Sequence, residues 1–128
     1  MRRVLIFVMA MLVMSPMVSA GEYRIPGLRP NDSFLTQDGI KTRLVGRRVT
    51  YKDKSASVYY KNGSYEYYAH EDAEPKPGRY KLYDHGMICV TFKKGGARCD
   101  TYVRSVKKLV LITAGGTRYP VRSAIKIR

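Results

Sequence analysis

From Arg47 to the C-terminus the chain is a succession of short β-branched and tyrosine-rich runs, each closed by a turn signal, with no segment periodic enough for a crossover helix. The runs are Arg47 to Tyr51, Ser55 to Tyr60, Tyr65 to Ala69, Gly78 to Tyr83, Met87 to Phe92, Ala97 to Arg104, Lys108 to Thr113 and Arg118 to Ile127. Between them lie Lys52-Asp53-Lys54, Lys61-Asn62-Gly63-Ser64, Asp84-His85-Gly86, Lys94-Gly95-Gly96 and Ala114-Gly115-Gly116. Strands so close in sequence pair antiparallel, because a parallel partner needs a crossover of a dozen or more residues. The spacing predicts a mainly β fold: an antiparallel meander curled into a small barrel or a two-layer sheet.

Several local features sharpen that expectation. Asn62-Gly63 between two apolar runs predicts a tight hairpin in which both central residues accept positive φ. His70 to Pro77, polar and carrying Pro75 and Pro77, predicts a loop. Leu109 to Ile112 is apolar on both faces, as a central strand would be. In the last run, strict alternation puts Tyr119, Val121, Ile125 and Ile127 on one face and Arg118, Arg122, Lys126 and Arg128 on the other. One short helix is predicted over Ser33 to Val45, capped by Asp32 or Ser33 and ended by Gly46.

Ahead of the β region, residues 1–20 combine Arg2-Arg3, an apolar run from Val4 to Met14 and a Val18-Ser19-Ala20 ending, the layout of a cleaved secretory signal. The run is too short to span a bilayer, which takes about 20 apolar residues. Cleavage after Ala20 would leave 108 of the 128 residues: an extended or mobile arm over 21–32, then a single β domain over 33–128. The expected location is the periplasm or the exterior, where a disulfide between the only two cysteines, Cys89 and Cys99, can persist.

Two registers compete for that cysteine pair. A three-residue loop over Lys93-Lys94-Gly95 sets Phe92 opposite Gly96 and Cys89 opposite Cys99, at a site where Cα atoms lie about 4.5 Å apart. A loop over Lys93 to Gly96 instead gathers Ile88, Val90 and Phe92 with Ala97, Cys99, Thr101 and Val103 on one apolar face and turns Cys89 away. A one-residue slip separates the two, so the bridge predicts a bulge near Gly95 or Gly96.

Charge narrows the function classes. Loss of Arg2 and Arg3 takes the formal net charge from +14 to +12, and the segment from Arg79 to Arg128 opposes 12 basic side chains with only Asp84 and Asp100. Such an excess attracts acidic glycan, lipid head groups or nucleic acid. Arg79, Lys81, Arg98, Arg104, Arg118, Arg122 and Lys126 are the candidate anion contacts. Among the eleven tyrosines, Tyr59, Tyr60, Tyr67 and Tyr68 face one another across the predicted hairpin, so that some must be exposed and available for contact. No nucleophile or zinc motif is present, the two histidines have no ligand spacing, and no cofactor is implied.

Gly78-Arg79-Tyr80, then Asp84 to Phe92, then Arg98-Cys99-Asp100 with Tyr102 resembles small exported bacterial proteins of unknown function, which carry a Gly-aromatic strand followed by two cysteines on neighbouring strands. Tyr80 stands where the usual tryptophan would be. The resemblance covers about Ile40 to Val121 and implies an envelope or secreted β protein without a catalytic set. The expected function is therefore non-catalytic binding of a polyanion through the basic C-terminal half. The alternatives are contact with an envelope or host protein through the tyrosine hairpin, or a small envelope hydrolase using Glu66, Asp84 or Asp100.

Overall fold

The computed structural model describes residues 23–128; the leader expected at 1–20 and its cleavage site lie outside the described residues. In chain order the elements are β1 (Asp32–Phe34), α1 (Gln37–Arg43), β2 (Arg47–Tyr51), β3 (Ala56–Tyr59), β4 (Ser64–Tyr68), β5 (Lys76–Leu82), β6 (Met87–Phe92), β7 (Ala97–Ser105), β8 (Lys108–Ile112) and β9 (Arg118–Lys126). Strands β2 to β9 each pair antiparallel with their neighbours in sequence, and β9 returns to β2, which closes an eight-stranded up-and-down barrel. Of the two architectures expected, the barrel is the one formed. β1 pairs with the far half of β7, beyond the reach of β6.

Four of the hairpins share one loop geometry: three residues, with the last in the left-handed region. These last residues are Lys54, Gly63, Gly95 and Gly116, each loop flanked by a backbone bond such as Tyr60 N–H to Ser64 O at 3.0 Å or Phe92 N–H to Gly96 O at 2.9 Å, whereas in Asp84-His85-Gly86 both His85 and Gly86 take positive φ. The Asn62-Gly63 turn belongs to this set: Gly63 alone takes positive φ (+89°), so the two-residue turn is replaced by a Lys61-Asn62-Gly63 loop. Asn62 contributes through its side chain, whose Oδ1 accepts from Ser64 N–H at 2.9 Å. Only Val106-Lys107 joins its strands with two residues, and Val106 stands at φ 59° with 72% of its surface exposed.

The same loop settles the cysteine register. Cys89 faces Cys99 with a Cα separation of 4.0 Å and a disulfide between them, and the β6–β7 ladder runs on to Met87 and Thr101 without a shift. The apolar-face register is therefore absent, and Ile88 and Val90 stand beside Asp100 and Arg98 on the neighbouring strand. The bulge lies elsewhere, in the β2–β9 ladder, where Thr50 pairs with Ser123 but Tyr51 with Val121. That extra residue breaks the alternation expected of the last strand: Tyr119, Val121 and Ala124 pack on the core, whereas Ile125 is turned outward and is 66% exposed.

The helix is shorter than predicted, because Asp32–Phe34 finds a strand partner in β7 and the cap moves to Thr36, whose Oγ1 accepts from Gly39 N–H at 3.0 Å. Its buried Ile40, with Leu35 and Leu44, closes one end of the barrel. The stretch before β1 runs along the outer wall: Ile25 and Leu28, together with Phe34 of β1, pack on Val103, Val110 and Ile112. Pro77, expected in the loop, lies inside β5.

Inside, the barrel is filled by tyrosine. Tyr102 Oη meets Tyr51 Oη at 2.5 Å and Tyr59 Oη at 2.8 Å, while Ser57 Oγ joins Tyr51 at 3.1 Å to Tyr65 at 2.9 Å. Arg98 Nη2 donates to Tyr65 Oη at 3.2 Å, and Asp100 lies beside Arg98. Each hydroxyl removed from water thus has a partner, the condition under which a polar core is tolerated.

Candidate functional site

At the end closed by α1, three separate parts of the chain are tied at one glycine. Gly46 (φ +76°) turns the chain out of α1 into β2, donates its N–H to Tyr59 O at 2.7 Å, and accepts from Ile127 N–H at 3.0 Å. The end of the helix, the end of β3 that leads into the β3–β4 loop, and the tail of β9 are therefore held together. They line an open cleft of about 590 Å³ whose charged side chains are Lys41, Arg47, Lys61, Lys126 and Arg128, with no Asp or Glu among the lining residues. Arg47 is fixed by a bond from Nη1 to Ala124 O at 3.1 Å, and Tyr60 supplies an aromatic wall. Five cations around one concavity raise the local potential far more than the same charges spread over a surface.

The seven cations expected to contact anions do not share one face. Lys126 lines the cleft. Arg79 and Lys81 stand on the outer wall of β5, where Arg79 Nη2 donates to Asn62 O at 3.1 Å. Arg104 and Arg122 are exposed on other strands. Arg118 forms a two-point bond with Asp32, which holds the Asp32 carboxyl below the usual carboxylate range, and also donates to Gly27 O at 2.9 Å. Arg98 points inward, near the opposite barrel end.

The tyrosine hairpin divides in the same way. Tyr59 is buried in the core and Tyr67 packs partly against it. Tyr60 and Tyr68 stand on the outer wall, where both donate to Glu66, the Tyr68 bond at 3.0 Å, and Arg48 lies 4.4 Å above the Tyr68 ring. The Glu66 carboxylate pushes the Tyr60 phenol up to about 12, and desolvation adds to it.

The three acids considered for hydrolysis lie apart: Glu66 on that wall, Asp84 accepting from Gln37 Nε2 at 3.1 Å at the α1 end, and Asp100 in the interior. Burial pushes the Asp100 carboxyl up, while Arg98 beside it pulls the other way. Among the described residues no three His, Cys, Asp or Glu side chains converge as a metal site would require. The cleft itself was hidden from sequence reasoning. Lys41, Arg47 and Lys61 come from the N-terminal half, outside the most basic stretch, and only closure of β9 on β2 brings Lys126 and Arg128 to them.

The disulfide is present, and no helix among the described residues is long and apolar enough to cross a membrane. Searched against protein-family models, curated proteins and solved structures, the chain matches none of them.

Proposed function

We propose that this chain is an exported, non-catalytic binding protein of the bacterial envelope that holds a polyanion in the cleft beside α1. The observation that carries this reading is the set of five cationic side chains lining one concavity with no Asp or Glu among them. Export is supported by the layout of residues 1–20 and by the disulfide. Phosphates, sulfates or carboxylates spaced along a polymer would each displace counterions on meeting a lysine or arginine, so affinity should fall steeply with salt.

The test uses a sulfated oligosaccharide and a single-stranded oligonucleotide as probes, with affinity measured across a salt series. Log affinity is expected to fall linearly with log salt. The variant carrying Lys41→Ala, Lys61→Ala and Lys126→Ala should lose roughly two units of that slope on the oligonucleotide, at about 0.7 per contact. A slope that the triple variant leaves unchanged rules the cleft out. Arg79→Ala with Lys81→Ala serves as the charge-matched control on another wall.

A second function, contact with a partner protein, rests on Tyr60 and Tyr68, held in place on the outer wall by Glu66 with Arg48 alongside. Tyr68→Ala would then weaken that association and leave polyanion affinity unchanged.

A further inference from the structure

The barrel end opposite α1 opens between the β4–β5 and β6–β7 loops into a pocket of about 480 Å³, within the range that takes small organic ligands. Arg98 forms its floor. The side chain is about one-third exposed (36%) and is gripped from within: Nη2 donates to Tyr65 Oη at 3.2 Å, and Nε lies 3.1 Å from Asp100 Oδ2. The guanidinium sits 4.9 Å from the Tyr67 ring centroid and 5.8 Å from that of Phe92.

A guanidinium carries five N–H donors, and this one is incompletely satisfied. Buried Nε has no aligned acceptor despite its closeness to Asp100, and among the described residues Nη1 meets none. An arginine serving only to neutralise Asp100 would direct its fork at the carboxylate, as Arg118 does at Asp32. Here the guanidinium lies beside the Tyr67 and Phe92 rings, and the side chain, only partly covered, lines the pocket. The rest of the lining decides what would fit. Pro75, Pro77 and the rings of Tyr67 and Phe92 offer flat apolar walls, while Lys76 and Lys94 outnumber the one carboxylate, Glu74.

We propose that the barrel mouth binds a ring-sized monocarboxylate, an acidic sugar of the uronate type: its carboxylate on Arg98, its ring against the aromatic and proline walls, its hydroxyls among the charged groups of the rim. The site is separate from the cleft, since the two lie at opposite barrel ends and share no residue.

The test is an NMR titration of the isotope-labelled protein with galacturonate and with glucuronate, using glucose and inorganic phosphate as controls. Saturable shifts are expected at Phe92, Gly95 and the Arg98 side chain, with uronate affinity at least tenfold above that for either control. Arg98→Lys, which keeps the charge but loses the planar fork, should weaken uronate binding at least tenfold. Lys94→Glu, on an exposed loop and so safe for folding, should weaken it several-fold; Lys41→Ala with Lys61→Ala should leave it unchanged. Glucose or phosphate binding as well as uronate overturns the proposal, as does the absence of saturable shifts at the mouth. Should Arg98→Lys fail to fold, unchanged affinity in Lys94→Glu overturns it alone.

Discussion

Asp32 fastens the N-terminal stretch to the barrel. Its carboxylate accepts from Arg29 N–H at 2.8 Å and from both terminal nitrogens of Arg118, and Arg118 in turn reaches Gly27 O. Because those donors favour the charged form, led by Arg118, the folded carboxyl titrates below the unfolded value of 3.8. The stability it contributes is complete above that value and disappears as pH falls through the lower folded one. Asp32→Asn should therefore destabilise the protein by about 2 kcal/mol at pH 7, the scale of a hydrogen-bonded charge. The deficit should be smaller at about pH 3, below the unfolded value of 3.8, than at pH 7. Urea unfolding at the two pH values measures it, and an equal deficit at both would show that the charge is not what holds the contact.

Among the elements, the β6–β7 hairpin shows how turn chemistry outranks hydrophobic pattern. Apolar matching favoured one register and the three-residue loop another, and the loop register is formed, with Arg98 and Asp100 facing inward opposite Val90 and Ile88. The Cys89–Cys99 bridge joins strands already aligned by that loop. Reduction should thus lower stability by about 2.5 to 3 kcal/mol, the chain-entropy value for so short a loop, and leave the barrel folded. Urea midpoints with and without dithiothreitol test the size, and far-ultraviolet circular dichroism tests the retained fold. Collapse of the spectrum on reduction would mean that the bridge, not the loop, sets the register.

Strand positions were legible for the same reason: glycine and polar turn residues mark hairpins wherever they fall, and β2 and β6 begin and end where their β-branched runs do. Three kinds of feature were not. The bulge opposite Thr50 and Tyr51 is a property of a pair of strands, so alternation within β9 alone placed Ile125 on the wrong face. A polar interior defeats any rule that turns apolar faces inward, which hid Ser57, Arg98 and Asp100. The cleft gathers Lys41, Lys61 and Lys126 from three distant segments, a convergence that no linear charge count shows.

Over the whole molecule, the shared property of the interior is that it must stay neutral at the phenols. Burial raises Tyr51, Tyr59, Tyr65 and Tyr102 above the ordinary value of 10.0. An unfolded chain ionises these groups near pH 10, so the stability they confer is whole below that pH and is lost as pH rises through their folded values. Titration at 295 nm should show part of the phenolate appearing in one cooperative step above pH 10, together with loss of near-ultraviolet circular dichroism. A single curve centred near pH 10 with native dichroism intact would show that the tyrosine network opens to water without unfolding.

Closure of the barrel by β9 on β2 also dictates when the chain can acquire its final form. The two strands that complete the ring are the first and last of the eight, so the ring forms only by joining segments far apart in sequence, the slowest kind of contact to make. A ribosome-bound chain lacking β9 and the residues after it would have β2 and β8 each missing a neighbour, and neither the complete cleft nor the bond from Ile127 to Gly46 would exist. Native structure must then await the emergence of β9, leaving the growing polypeptide pliable until that strand has been made.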